Sequence, residues 1–123
     1  MTELLQSFEQ FFSVIQKLRA PDGCPWDKEQ TPLSIRGDLI EETFEAIEAI
    51  TDGDILHVKE ELGDVMLNVL MMAYMYQQQG AFSVSDVMKD VSEKLIRRHP
   101  HVFKESEGVS QMKGQISSSA EVL

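Results

Sequence analysis

The chain is poor in the residues that would tie it to an oxidising compartment, to a membrane or to nucleic acid. A single cysteine, Cys24, cannot close an internal disulfide and offers no thiolate metal site, which fits a reducing compartment. No histidine lies near it in sequence to make it a nucleophile. No run reaches the roughly 18 uninterrupted apolar residues that span a bilayer, and MTELLQSFEQFF lacks the basic start of a secretory signal. The expectation is a soluble, cytoplasmic protein with no membrane partner. Bases are scarce as well: 11 Lys and Arg stand against 21 Asp and Glu, for a net charge of −10. That balance argues against binding nucleic acid or an anionic surface, and a phosphate-bearing ligand would need a cation as mediator. Period-two alternation of β-branched residues is also missing, so strands are not expected.

What remains is helical periodicity. Leu4, Leu5, Phe8, Phe11, Phe12, Ile15 and Leu18 recur at spacings of three and four and predict a first helix over Glu3 to Arg19. The punctuated segment APDGCPWDKEQTP reads as an ordered loop with Trp26 as its anchor. Thr31 is placed to cap a second helix with Pro32 at its first position, running to about Ile50. Gly53 then suits a left-handed terminus, and Asp54 can cap a third helix from Ile55 to Gln79. The DGD of this turn does not make a calcium loop, because Leu56 and His57 stand where that pattern needs an oxygen ligand and a glycine. A fourth helix covers Val84 to Arg98, capped by Ser83 or Ser85 and stopped at His99 and Pro100. The fold class expected is all-α, an antiparallel four-helix bundle over residues 1–104. Residues 105–123 read as a polar, mobile or partly helical segment. The third helix is apolar almost all round, so a second copy of the chain is expected to cover it, as a homodimer or higher homo-oligomer.

The acidic residues break this pattern. In LIEETFEAIEAI, Asp38, Glu41, Glu42, Glu45 and Glu48 share one side of the second helix, opposite an apolar side that includes Ile40, Ile47 and Ile50. Between Asp38 and Asp64 the only base is Lys59, so repulsion along the stripe is unrelieved. ELGDVMLNVLMMAYMY sets Glu61, Asp64 and Asn68 on one narrow stripe of an otherwise apolar helix, where a carboxylate is costly unless compensated. Glu42 with Glu45 and Glu61 with Asp64 are thus two i, i+3 pairs on consecutive antiparallel helices. Together they make a pocket of hard oxygen ligands suited to Mg²⁺ or Mn²⁺. A di-iron bundle would need Glu-x-x-His on two helices, and no such pair occurs. Lys94, Arg97 and Arg98 share one helical face near the other end of the sequence, close enough to bind one polyphosphate together. His99 and His101, flanking a proline, read as structural.

EETFE at 41 to 45 followed by ELGD at 61 to 64 resembles the EExxE…ExxD signature of the MazG family of all-alpha nucleoside triphosphate pyrophosphohydrolases. CPWDKEQTP at 24 to 32 is similar to the loop that precedes this signature, and KLIRRHPHVF at 94 to 103 to the basic segment that follows it. The resemblance implies hydrolysis of a nucleoside triphosphate to the monophosphate and pyrophosphate, dependent on Mg²⁺ with Mn²⁺ as a substitute, by a helical dimer. It makes Glu42, Glu45, Glu61 and Asp64 the metal ligands, and Glu41 either a support behind those ligands or a candidate for general base. Lys94, Arg97 and Arg98 become phosphate contacts, and Asn68 and Lys28 further substrate contacts. An alternative of a different class is a regulatory bundle that binds nucleotide with little or no turnover. Two departures stand out. Gly37 falls in the first turns of the second helix at a cost of about 1 kcal/mol relative to Ala. Family members also commonly continue past the EVL position into a helix with a tryptophan and a basic residue, so a shortened chain or one half of a longer protein is expected.

Overall fold

The structure, a computed structural model, describes residues 1–103; the segment 105–123 lies outside the described residues. Five α-helices and no strand occur among them: α1 Thr2–Leu18, α2 Pro25–Glu29, α3 Pro32–Asp52, α4 Ile55–Gln78 and α5 Val84–Arg98. None is long and apolar enough to cross a membrane.

The helix boundaries follow the chemistry of their ends. The Thr31 side chain accepts from the Ser34 N–H, and the Ser34 hydroxyl answers by accepting from the Thr31 N–H, closing a capping box ahead of Pro32. At its other end α3 runs two residues past Ile50 and stops on Gly53 in the left-handed region, with φ of 73°, a conformation that costs glycine little. One residue on, Asp54 accepts from the His57 N–H at 3.2 Å to start α4. Ser83 and Asp86 form a second capping box on α5.

The segment expected to be a plain loop contains α2, a helix of five residues, too short to leave a periodic signal in sequence. Arg19 ties it down: its Nη1 donates to the carbonyls of Asp27 at 2.6 Å and Gln30 at 3.0 Å, and its Nε donates to Gln78 Oε1 at 2.6 Å. One guanidinium therefore satisfies carbonyls at the end of α2 and links that turn to the end of α4. Lys28 Nζ donates to the Pro21 carbonyl at 2.7 Å. Gly23 is required where the chain leaves α1, because a Cβ there would run into the carbonyl oxygens of Lys17 and Leu18. Trp26 does not anchor this segment; it is 61% exposed.

The core lies toward one end. Ile15, Ile35, Met71 and Met75 are buried together, with Phe11, Leu18, Leu67, Leu70, Met72 and Tyr74 packed against them, and the Phe12 ring meets Tyr74 edge-on at 5.5 Å. The most extensive pairing is that of α3 with α4. On α3 the buried residues are Ile35, Ala46 and Ala49, a stripe at spacings of three, four and seven that Glu42 completes. On α4 Glu61 and Asn68 continue the stripe of Met71 and Met75. The sequence reading assigned the Ile40, Ile47 and Ile50 side to the core. Instead these residues are 72%, 55% and 58% exposed, because α4 packs on the adjacent stripe. Phe44, Leu62, Met66 and Val69 are exposed too.

Candidate metal centre

Beyond the apolar core the two facing stripes turn acidic. One carboxylate oxygen from each of Glu42, Glu45 and Glu61 lies within 4.8 Å of the others, a group that could hold a metal ion. Glu61 is 5% exposed, Glu42 is half-buried and Glu45 stands at the open rim. The Oε2 atoms of Glu42 and Glu61 are buried without a hydrogen-bond partner. Burial of unpartnered anionic oxygen is costly, and a divalent cation is the partner whose charge and preference for oxygen fit this donor set. The residues therefore fit the metal that the sequence pattern implies.

The electrostatics agree. The Glu42 carboxyl is held above its ordinary value of 4.5 by loss of water, then by the charges of Glu45, Asp64 and Glu61. Glu45 is raised chiefly by the charge of Glu61, then by loss of water, with Glu41 and Asp64 adding to it. Both groups bind protons more readily in the folded chain than in the unfolded one. Their contribution to stability is thus present in full below the ordinary glutamate value and is lost as pH rises through the raised range. Asp22 and Asp86, held below their ordinary 3.8 by Lys17 and by the Ser83 cap respectively, act in the opposite sense only at lower pH. The melting temperature of chelator-treated protein should accordingly rise as the pH is lowered from neutrality toward the ordinary glutamate value of 4.5, and Mg²⁺ should flatten that slope. A thermal-shift series with and without the cation checks both; equal slopes would contradict the charge-crowding account.

Asp64 is half-buried and near enough for its charge to act on Glu42 and Glu45, although it is outside the tight trio. Glu41 is exposed beside them. The Asn68 side-chain amide donates to the Asp64 carbonyl at 3.0 Å. Lys94 is half-buried, and Arg97 and Arg98 lie exposed in the last turn of α5. Lys28 is elsewhere: with Arg19, Gln30, Thr31, Gln78 and others it lines a cleft of about 470 Å³ at the start of α3. At a rise of about 1.5 Å per residue, the path along α3 from Thr31 to Glu42 is roughly 16 Å. His99 Nδ1 lies 2.6 Å from the Leu95 carbonyl, a helix-end contact that agrees with its structural reading.

Two further residues, His57 beside Glu61 and the buried Glu93 on α5, are not marked out by the sequence pattern. His57 Nε2 lies 3.1 Å from Glu61 Oε1; their i, i+4 spacing is the signal the sequence carries for this contact. Glu93 on α5 is 9% exposed with its Oε2 unpartnered, and nothing in the neighbouring sequence sets it apart from a solvated glutamate.

An all-helical fold with opposed carboxylate pairs on two consecutive helices defines the class, and residues 30–103 match the MazG nucleotide pyrophosphohydrolase domain. The chain belongs to this family. It is 50% identical over 103 residues to the nucleoside triphosphate pyrophosphohydrolase/pyrophosphatase MazG of Thermotoga maritima, a match covering 84% of this chain and 40% of that protein. It is 42% identical over 103 residues to the nucleoside triphosphate pyrophosphohydrolase of Escherichia coli K12, covering 83% and 39%. With the uncharacterized protein YabN of Bacillus subtilis it shares 51% identity over 102 residues, covering 83% and 21%. The chain thus spans between about a fifth and two fifths of these relatives.

Proposed function

We propose that this chain hydrolyses nucleoside triphosphates, ribo or deoxyribo, to the monophosphate and pyrophosphate with Mg²⁺, with Mn²⁺ as substitute, as part of nucleotide-pool housekeeping in the cytoplasm. The observation that carries the reading is the pair of buried, unpartnered Glu42 and Glu61 oxygens in a carboxylate trio, within a domain of the pyrophosphohydrolase family. Glu42, Glu45 and Glu61, with Asp64 beside them, would hold the cation. When bound, it supplies the charge neutralisation that a phosphoanhydride needs before an anionic group will accept a nucleophile.

The remaining work belongs to the chain. Lys94, Arg97 and Arg98 bind phosphate oxygens and orient the triphosphate, with Asn68 and Lys28 as secondary contacts. Glu41 accepts the proton of the attacking water; the new P–O bond forms as the α,β-phosphoanhydride bond breaks. Residues 1–104 act as one domain, an antiparallel bundle of four long helices. A homodimer or higher homo-oligomer covers the open apolar side, and the exposure of Ile40, Phe44 and Ile47 on α3 beside Leu62, Met66 and Val69 on α4 supports that assembly. The test is pyrophosphate release across the common ribo- and deoxyribonucleoside triphosphates with and without Mg²⁺. Cation-dependent release is the expected outcome. Thermal stabilisation by nucleotide without pyrophosphate would replace the reading by a nucleotide-binding regulator.

A further inference from the structure

We propose that His57 is a positioning residue for the cation: it holds one oxygen of Glu61 so that the other is presented to the metal. The inference rests on the metal reading given above. Glu61 is the most deeply buried carboxylate of the trio, and its two oxygens have different surroundings. Oε1 meets His57 Nε2 at 3.1 Å, while Oε2 is buried and has no partner. A carboxylate shielded from water has no solvent shell to fix the plane of its terminal torsion, which is intrinsically broad. An Nε2–H donor on one oxygen removes that freedom before any cation arrives and leaves a single oxygen to be satisfied. The division of labour is that of a metal ligand oriented by a hydrogen-bonding neighbour.

The imidazole is in turn held by its helix. His57 sits in the first turn of α4, where its backbone N–H binds the Asp54 carboxylate, and the i, i+4 spacing sets its ring over Glu61. Its side chain is 47% exposed, and the helix cap uses only its backbone. Removing the ring therefore leaves both the core and the cap intact, so a loss of metal affinity would not come from unfolding.

The experiment is calorimetric titration of the full chain with Mn²⁺ alone, for the wild type, His57→Ala and His57→Gln, with metal-free melting curves alongside. The expected result is an affinity about tenfold weaker in His57→Ala, with an unchanged metal-free melting temperature. Most of the affinity should return in His57→Gln, whose amide can donate to the same oxygen. In turnover, the Mg²⁺ concentration for half-maximal activity should rise in step, with KM for nucleotide at saturating Mg²⁺ unchanged. Equal Mn²⁺ affinity in the wild type and His57→Ala overturns the proposal while leaving the metal reading standing. A His57→Gln variant as weak as His57→Ala also overturns it. A wild type that takes up no Mn²⁺ overturns both.

Discussion

Glu61→Gln should lower pyrophosphate release by about a thousandfold or more without destabilising the metal-free fold. The two expectations together separate a ligand from a structural carboxylate. If Glu61 were there to hold the helices, its removal would cost stability whatever the cation. As it stands, its oxygen Oε2 is buried without a partner and its charge raises the proton affinity of both Glu42 and Glu45. Gln keeps the shape and an acceptor for His57 but deletes the repulsive charge, so the metal-free melting temperature should hold or rise. What should disappear is the stabilisation gained on adding Mg²⁺, because linkage requires a site that binds the folded state. Melting curves with chelator and with millimolar Mg²⁺, beside a pyrophosphate assay, give the answer. A variant that melts earlier than the wild type in chelator and still responds to Mg²⁺ would move the metal away from Glu61.

The second large effect lies on the open side of α3. Phe44→Lys combined with Ile47→Lys should convert an oligomer into a monomer at micromolar concentration. Phe44 is 61% and Ile47 55% exposed in the single chain, so neither contributes much to its own core. In a dimer that covers this side, two unpaired ammonium groups would be stripped of water at a cost of several kcal/mol. That corresponds to a dissociation constant raised by about a thousandfold or more. A lysine at 44 stands three residues after Glu41 and four before Glu48, where it offsets part of their repulsion, so the monomer itself should still fold. Light scattering of both proteins decides it: a wild type with the mass of one chain removes the basis for assembly, and a variant that keeps the wild-type mass moves the interface elsewhere.

The reach of the sequence differs between parts of this molecule for physical reasons. Long helices were legible because their caps are local: Thr31, Gly53, Asp54 and Ser83 act within a few residues of where they stand. The acidic trio was legible because Glu42, Glu45 and Glu61 occupy fixed helical positions on neighbouring elements. Which side of α3 faces α4 was not. Both sides carry apolar residues, and the choice is made by packing that a single helix does not encode. The Arg19 junction was equally hidden, since it joins residues 59 apart in the chain, and α2 is too short to have a period.

Ala46 and Ala49 would bear on the selectivity of the proposed centre although they have no polar side-chain atom. They are 6% and 1% exposed on the buried stripe of α3, and small side chains there let the two backbones approach closely. The spacing between α3 and α4 is the same spacing that separates Glu42 from Glu61. A methyl group at each of these buried positions would thereby act as a gauge block for the carboxylate gap, and the radius of an ion held at the proposed centre would be set partly by residues that never touch it. Larger side chains at these two positions would open the gap toward the longer oxygen distances of Ca²⁺ and away from the tight shell of Mg²⁺.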